Sequence, residues 1–219
     1  ATATDNHPYT GVTRFKEGGT KIPAGAMSRQ NADAVGEWLK KGKVTLTMEM
    51  DCKEFPDVTS YNVIAEITGK DDKIITFGGH LDSWDVGEGA HDDGAGIAHS
   101  IEALRILKAL NYKPNHTIRC VLFMNEENGN FGGKSYAQLS KEANENHICA
   151  IESDRGGFLP IGFDIAGTDE HLALVKQHQN LLKDYDLLKI QKGYSGVDIG
   201  PLKEYYPEMM QIGISINSQ

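Results

Sequence analysis

Four short acidic clusters end or follow apolar stretches of this chain, and their residue types indicate metal chemistry. They combine histidine with several carboxylates and contain no cysteine. Converging carboxylates repel one another unless a cation neutralises them, and this ligand set is typical of hydrolytic metal centres rather than zinc fingers. The sequence therefore predicts a metallohydrolase. The candidate residues are His80, Asp82, Asp92, Asp93, Glu126, Glu127 and Asp154.

The elements that must position these clusters are predicted to be strands of an open sheet. The apolar runs 73–77 and 117–124 are typical of buried strands, and a cluster follows each of them. In open α/β sheets, ligands bind in the crevice at the carboxyl ends of such strands. The clusters are therefore expected to meet at one edge of the sheet.

His80 is a candidate metal ligand, and Asp82, two residues later, could orient its ring. A ligating histidine usually donates its second N–H to a carboxylate or a carbonyl. The competing interpretation is a histidine of the core or of a helix cap. Gly78 and Gly79 allow the backbone to bend at the strand end, and other acidic clusters share the predicted edge. These features favour the interpretation of His80 as a metal ligand.

Two pairs of adjacent carboxylates suggest divided roles. Asp92 and Asp93 lie in a glycine-flanked turn before a predicted helix, where one carboxylate would suffice as a cap. The second carboxylate of the pair would be explained if one of the two bridges two cations. Glu126 and Glu127 follow a buried strand, where one can bind metal while the other accepts a proton from water. Asp154 ends the next strand in the same way.

The motifs occur in an order found in one known family. They are Gly78–Trp84, Gly89–Gly96, Asn125–Gly129 and Glu152–Asp154. This pattern resembles family M28 of co-catalytic zinc exopeptidases, and the similarity extends over residues 9–216. Within it, residues 57–69 and 80–87 are most similar to the plasma glutamate carboxypeptidase branch.

The resemblance implies a fold, a cofactor and a reaction. The fold is α/β, a three-layer αβα sandwich around a mixed, largely parallel sheet. The cofactor is zinc, with two ions in the intact enzyme. The reaction is hydrolysis of a terminal peptide bond by an aminopeptidase or dipeptidase, with a metal-activated water as the nucleophile.

The resemblance also implies individual roles. Asp92 would bridge the two ions, His80 and Asp154 would complete one of them, and Glu127 would serve the other. Glu126 matches the general base of the family.

Further positions follow from the same resemblance. Asp82 matches the second-layer partner of the ligating histidine, Asp93 adjoins the bridging aspartate, and the peptide bond that joins them, Asp92–Asp93, is expected to be cis. Asp198 matches an element near the substrate, although Val197 replaces the Ser or Thr that the family has before it.

The sequence departs from the family at both ends. The histidine that completes the Glu127 ion normally follows a strand that ends here near residue 216, so we expect one ion or none in this chain and impaired activity. His171 and His178 are interpreted as helix surface. Residues 1–30 are expected to be an irregular exit from a protease-associated insert, and residues 31–219 a catalytic domain that lacks its C-terminal part.

Hydrophobic periodicity predicts alternating strands and helices. Ser28 is expected to cap a helix through residue 39, and residues 44–50 alternate as a half-exposed strand does. Residues 61–67 and 73–77 are separated by a turn signal and predict a hairpin. Further helices are predicted at 95–110, 133–143, 169–183 and 197–205, and further strands at 117–124, 148–153, 162–166 and 209–216.

Composition excludes several functional classes. The formal net charge is −9 and the basic residues are scattered, which disfavours nucleic acid as a partner. No apolar stretch approaches the roughly 20 residues of a membrane span. The expected partners are a peptide or dipeptide and, as an open option, a second copy of the chain. The branch resemblance implies a secreted or periplasmic location.

The three cysteines do not form a disulfide framework. Their number is odd and their spacing unpaired. Cys120 and Cys149 lie in apolar runs and are expected to be buried, while pairing of Cys52 stays open.

Three functions from different classes are compatible with the sequence. The first is the dizinc exopeptidase described above. The second is a single-zinc acyl-transfer enzyme resembling glutaminyl cyclase, which metal content and product analysis would separate from the first. The third is a non-catalytic binding module resembling the transferrin receptor ectodomain, in which metal ligands are lost.

Overall fold

The computed structural model describes residues 6–8, 13–53, 55–84 and 87–217, which form two compact units, Ala1–Val58 and Thr59–Gln219. In the first unit, helix α1 spans Arg29–Lys41. Its N-cap is Ser28, whose hydroxyl accepts a hydrogen bond from the N–H of Asn31 at 3.1 Å. The predicted cap is therefore confirmed.

The strand predicted at residues 44–50 is wrong, because these residues pair with no strand in the described part of the chain. Their alternating apolar side chains, Leu46, Met48 and Met50, are 68%, 45% and 49% exposed. Alternation produces a half-buried strand only where a sheet supplies hydrogen bonds and covers one face.

The second unit is built on a sheet of seven strands among its described residues, in the spatial order β1-β3-β2-β4-β7-β5-β6. Strand β2 pairs in parallel with β3 and β4, β4 with β7, and β5 with β6, whereas β1–β3 and β5–β7 are antiparallel. The predicted mixed, largely parallel sheet is therefore confirmed. The strands are β1 Val63–Ile67, β2 Lys73–His80, β3 Thr117–Phe123, β4 Asn146–Glu152, β5 Pro160–Ala166, β6 Lys189–Lys192 and β7 Met210–Ile216.

The hairpin predicted for β1 and β2 is wrong. Strand β3 lies between them, so β1 pairs antiparallel with β3 at the sheet edge and β2 occupies the interior. The turn signal between β1 and β2 marks a change of direction and does not specify which strand becomes the neighbour.

Helices cover both faces of the sheet. They are α2 Gly94–Ala109, α3 Phe131–Glu142, α4 Asp169–Gln177 and α5 Gln179–Leu182, with 3-10 helices at Lys183–Tyr185 and Gly200–Glu204. On one face, Val121 and Ala150 pack with Tyr136 of α3 and Leu202 of the second 3-10 helix.

The opposite face carries α2 and α4. Cys120 of β3 borders α2, and Ile151 of β4 packs in the cluster that includes Leu172 of α4. Cys120 and Ile151 both pair with Phe77, so they point to the same side of the sheet. The expected three-layer αβα sandwich is confirmed.

Two later predictions need correction. The helix predicted at 169–183 is divided at His178 into α4 and α5, and the one predicted at 197–205 is a 3-10 helix, Gly200–Glu204. Strand β6 was not predicted because, of its four residues, only Ile190 is buried.

The structure also bears on cysteines and membranes. Cys120 and Cys149 are buried, as predicted, and Cys52 is exposed and free. No helix among the described residues is both long and apolar enough to cross a bilayer.

Candidate metal centre

The candidate site lies where the parallel strands β2, β3 and β4 end. His80 is the last residue of β2, Glu126 and Glu127 follow β3, and Asp154 follows β4. Because these strands are parallel neighbours, their carboxyl ends meet at one edge. Asp92 joins them from the loop before α2. The edge predicted from the sequence therefore brings the candidate residues together.

The ring of His80 is held with one nitrogen available to a ligand. Its side chain is 1% exposed, and Nδ1 lies 2.8 Å from the main-chain oxygen of Asp82, to which it donates. Nε2 faces two carboxylates, at 3.1 Å from Oδ1 of Asp92 and 3.5 Å from Oδ1 of Asp154.

These separations match the ligand shell of zinc. Bonds of about 2.0–2.2 Å place two ligand atoms of a tetrahedron about 3.3–3.6 Å apart. The two distances from His80 Nε2 lie within a few tenths of an ångström of that range. A single ion could therefore contact His80, Asp92 and Asp154 with small adjustments of the side chains.

Asp93 belongs to the frame of the site. Its Oδ2 accepts the backbone N–H of His80 at 3.0 Å, and its Oδ1 accepts that of Gly96 at 3.1 Å. The carboxylate therefore ties the end of β2 to the first turn of α2. The ligand atoms of Asp93 also lie close enough to those of His80 and Asp154 to share a metal ion. Both carboxylate oxygens of Asp93, however, already accept hydrogen bonds from backbone N–H groups.

The turn around Asp92 is tightly built. Its peptide bond to Asp93 is cis, as expected. A side chain at Gly96 would collide with the carbonyl oxygen of Ser153 and the carboxylate of Asp93, so only glycine allows α2 to approach β4 this closely. The Asp92 side chain remains 60% exposed, which leaves it accessible to an ion.

Asp82 positions residues on two strands. Its main-chain carbonyl orients His80, while its carboxylate accepts the backbone N–H groups of Glu126 at 3.0 Å and Glu127 at 3.2 Å. The expected role beside His80 is thus performed by the carbonyl, because the carboxylate is engaged with the loop after β3. Asp82 fixes the relative positions of the imidazole and the two glutamates.

Glu126 and Glu127 offer carboxylate oxygens within 4.8 Å of His80 and of each other. Burial and nearby acidic groups raise the pKa of Glu126, although His80 opposes the shift. Burial, Asp92 and Glu126 raise the pKa of Glu127 to about 7. Oε1 of Glu127 is buried and has no hydrogen-bond partner among the described residues. An unpartnered buried acceptor is costly, and a cation would satisfy it.

The electrostatics of the cluster fit a divalent cation. Burial disfavours the charged form of His80, but the hydrogen bond and charge of Asp154 outweigh it and raise the pKa to about 10. Burial and the charge of Asp154 raise the pKa of Asp93 to about 7. Both shifts show that the converging carboxylates favour added positive charge, which a metal ion would supply. The residues present therefore fit zinc.

Glu152 is a structural residue that sequence reasoning did not single out. It is 1% exposed and accepts the backbone N–H groups of Val197 at 2.8 Å and Ile199 at 2.9 Å. Burial raises its pKa to about 7. Its position two residues before Asp154 was the available signal, but only the fold shows that it anchors the loop before the second 3-10 helix.

Asp198 lies in that anchored loop and is fully buried. Neither carboxylate oxygen has a hydrogen-bond partner among the described residues. Burial, followed by the charge of Glu152, raises its pKa to about 9. The role of Asp198 in substrate binding stays a prediction.

The remaining candidate histidines bond to their own helix. Nδ1 of His171 accepts the backbone N–H of Thr168, and Nδ1 of His178 lies 3.0 Å from the carbonyl oxygen of Leu174. Neither belongs to a metal-capable group among the described residues, which agrees with their interpretation as helix surface.

Comparisons with known proteins agree with this geometry. The sequence profile of peptidase family M28 matches residues 62–204. Mouse carboxypeptidase Q is 37% identical over 195 residues, which are 88% of this chain and 42% of that protein. The chain therefore spans about two-fifths of the length of this relative.

Solved structures show the same fold. The peptidase M28 precursor from Shewanella amazonensis SB2B superposes with a TM-score of 0.85 at 33% identity, over 99% of this chain and 49% of that one. BSAP, a zinc aminopeptidase from Bacillus subtilis, gives a TM-score of 0.58 at 20% identity, over 89% of this chain and 48% of that one. At that identity, the second match supports the fold alone.

Proposed function

The chain belongs to peptidase family M28, and from this premise we propose that it is a zinc-dependent exopeptidase, acting as an aminopeptidase or dipeptidase. The observation that carries the proposal is the pair of contacts at His80 Nε2, 3.1 Å from Asp92 and 3.5 Å from Asp154. The other ring nitrogen already donates to a carbonyl, so Nε2 is left for a metal.

His80, Asp92 and Asp154 would hold one ion, and Asp92 with Glu127 would hold a second. Zinc supplies Lewis acidity, which polarises a carbonyl and lowers the pKa of water to about 7. Among the described residues, His80 is the only histidine in a group that could hold an ion. The second position therefore has the weaker ligand set, and we expect it to bind zinc less firmly.

Glu126 is the proposed general base. Its carboxylate would accept a proton from the attacking water and return it to the leaving amine. The raised pKa of Glu126 suits both steps, because an acid that ionises nearer neutrality both accepts and releases protons readily. Asp82 would keep this carboxylate in place by holding the Glu126 backbone N–H.

The test compares Glu126→Gln with Glu127→Gln and with Glu142→Gln, whose side chain is exposed and bonds to Gln138. In zinc-loaded protein, Glu126→Gln should retain zinc but lose about 10²–10⁴-fold in kcat on dipeptides. Glu127→Gln should lose zinc from the second position, and Glu142→Gln should change neither.

Mass spectrometry of the products separates hydrolysis from the acyl transfer expected of a glutaminyl cyclase. Near-normal turnover by Glu126→Gln would contradict the base assignment. Zinc-loaded protein that cleaves no terminal peptide bond would contradict the proposed activity. A secreted or periplasmic location and a homodimer stay predictions from the family resemblance.

A further inference from the structure

The imidazole of His91 joins the two turns that carry the candidate metal-binding aspartates. His91 directly precedes Asp92 in the turn before α2, and its ring contacts the loop that follows Asp154. Nδ1 of the ring accepts the backbone N–H of Gly157 at 3.3 Å. The ring also packs edge-on against Phe158, with the ring centroids 4.8 Å apart and the planes at 76°. We call these two interactions the His91 contact.

The loop after β4 is built closely around this ring. Gly156 is buried and has a φ of +75°, a conformation that favours glycine. A Cβ at this position would collide with Cε1, Nε2 and Cδ2 of the His91 imidazole. Glycine is therefore needed both for the backbone turn and for the space that the ring occupies. Two separate features of the loop, the N–H donor of Gly157 and the missing side chain of Gly156, fit the same imidazole.

The two candidate ligands have little other support. The carboxylates of Asp92 and Asp154 lie near Nε2 of His80, but neither accepts a hydrogen bond from a backbone N–H among the described residues. The two aspartates that frame the site, by contrast, each accept two such bonds. The positions of Asp92 and Asp154 therefore depend on the backbone of the turns that carry them, and the His91 contact connects these turns.

We propose that His91 is a positioning residue, which holds the loop after β4 so that Asp92 and Asp154 reach the same zinc ion. This inference rests on the zinc site of the proposed function and extends it to a side chain that is not a ligand. His91 belongs to no metal-capable group in the part of the chain that the structure describes. Replacing a residue that orients metal ligands from outside the ligand shell typically costs about 10–100-fold in metal affinity or activity.

Zinc affinity, measured by competition with a chromophoric chelator, tests the proposal without turnover. His91→Ala should weaken zinc binding about 10–100-fold. The matched control His178→Ala removes an imidazole whose Nδ1 lies near a carbonyl oxygen of its own helix, and it should leave zinc affinity unchanged. Equal zinc affinities for His91→Ala and the unsubstituted protein would overturn the proposal.

Two conservative variants separate the parts of the His91 contact. His91→Asn offers an acceptor oxygen to the N–H of Gly157 but lacks the ring, whereas His91→Phe keeps a ring against Phe158 but lacks the acceptor. Each should bind zinc more tightly than His91→Ala and less tightly than the unsubstituted protein, because each retains one of the two interactions. Zinc affinities of both variants equal to that of His91→Ala would contradict the role assigned to these interactions.

A double-mutant cycle tests the fit between the ring and the loop. The methyl group added by Gly156→Ala should displace the His91 imidazole and weaken zinc binding. In the His91→Ala background the ring is absent, so the same substitution should weaken zinc binding less, although the backbone strain at positive φ is common to both backgrounds. Equal effects of Gly156→Ala in the two backgrounds would count against the proposal.

Stability and kinetics separate positioning from folding and from the proposed activity. A lower Tm of metal-free His91→Ala with unchanged zinc affinity would leave the ring a structural role only and refute the proposal. Dipeptide hydrolysis that His91→Ala loses at limiting zinc should return when zinc is added. Zinc binding that depends on His91, without any hydrolysis, would refute the peptidase function and leave the positioning role standing. Protein that binds no zinc would overturn both.

Discussion

Replacing Glu145 by Gln should destabilise the protein through a partly buried ion pair with Arg119, near the start of β3. The Glu145 carboxylate accepts two hydrogen bonds from Nη1 of Arg119, at 2.8 and 2.9 Å, and lies 3.0 Å from Nε2 of His147. The Arg119 side chain is only 13% exposed, and its other carboxylate partner is Glu66 at 2.9 Å. Glutamine keeps the shape of the side chain but removes the charge and turns an N–H₂ group toward other donors.

The magnitude follows from this geometry. Breaking a buried ion pair costs about 3–5 kcal/mol, because the remaining charge is left uncompensated. Arg119 keeps its pairing with Glu66 and is partly exposed, so we expect Glu145→Gln to lower the free energy of unfolding by about 2–3 kcal/mol. This is close to the loss of two hydrogen bonds to a charged group, at about 1.5 kcal/mol each. For a chain of this size, that lowers Tm by about 5–10 °C.

Thermal unfolding followed by circular dichroism at pH 7 measures the effect. Glu142→Gln removes the same charge from an exposed side chain and should change stability by less than about 0.5 kcal/mol. Equal Tm values for Glu145→Gln and Glu142→Gln would refute the reasoning, because the ion pair with Arg119 would then contribute no more to stability than an exposed charge.

The same comparison has a defined pH dependence. Burial alone raises the pKa of Glu145, but hydrogen bonds from Arg119 and His147 outweigh it and lower the pKa. A carboxyl with a lowered pKa in the folded state stabilises the protein above its unfolded pKa of about 4.3 and loses this contribution as the pH falls further. The Tm difference between the unsubstituted protein and Glu145→Gln should therefore shrink below about pH 4.

Two further predictions concern the metal centre. Zinc-loaded protein should hold about one firmly bound ion per chain by mass spectrometry, and its removal should lower Tm by about 5–10 °C when free zinc was near 100 times its Kd. Two firmly bound ions, or no shift, would contradict the assignment of His80, Asp92 and Asp154 as the tighter position. Asp82→Asn should lose one of its two backbone hydrogen bonds and lower kcat about 10–100-fold while zinc is retained. Unchanged kcat would show that the Glu126 loop holds its position without the Asp82 carboxylate.

Much of the candidate site could be predicted because short motifs encode strand ends directly. His80, Glu126 and Asp154 each follow an apolar run, and parallel pairing of those runs brings them to one edge. The roles of main-chain groups could not be predicted. Nothing in the sequence distinguishes the carbonyl of Asp82 from its carboxylate as the partner of His80, since this depends on where the loop after β3 comes to lie.

The layers of the fold were predicted from the sequence, but the pairing of its strands was predicted less well. The sheet and its three layers follow from alternating apolar strands and helices, but neighbours within the sheet do not. Val63–Ile67 pairs with Thr117–Phe123 rather than with the next strand in sequence. Residues 44–50 show that a period-two pattern alone does not form a strand when no partner strand is beside it.

The hydrogen bonds of Asp82 and Asp93 determine what kind of metalloprotein this chain can be. Both carboxylates fasten backbone groups beside the ligands before any ion arrives. Proteins whose sites form only on metal binding, such as zinc fingers, are unfolded without the ion. Here the metal-free form should keep its fold, so one ion can be exchanged for another without refolding. Cobalt could then replace zinc as a spectroscopic reporter of the ligand shell.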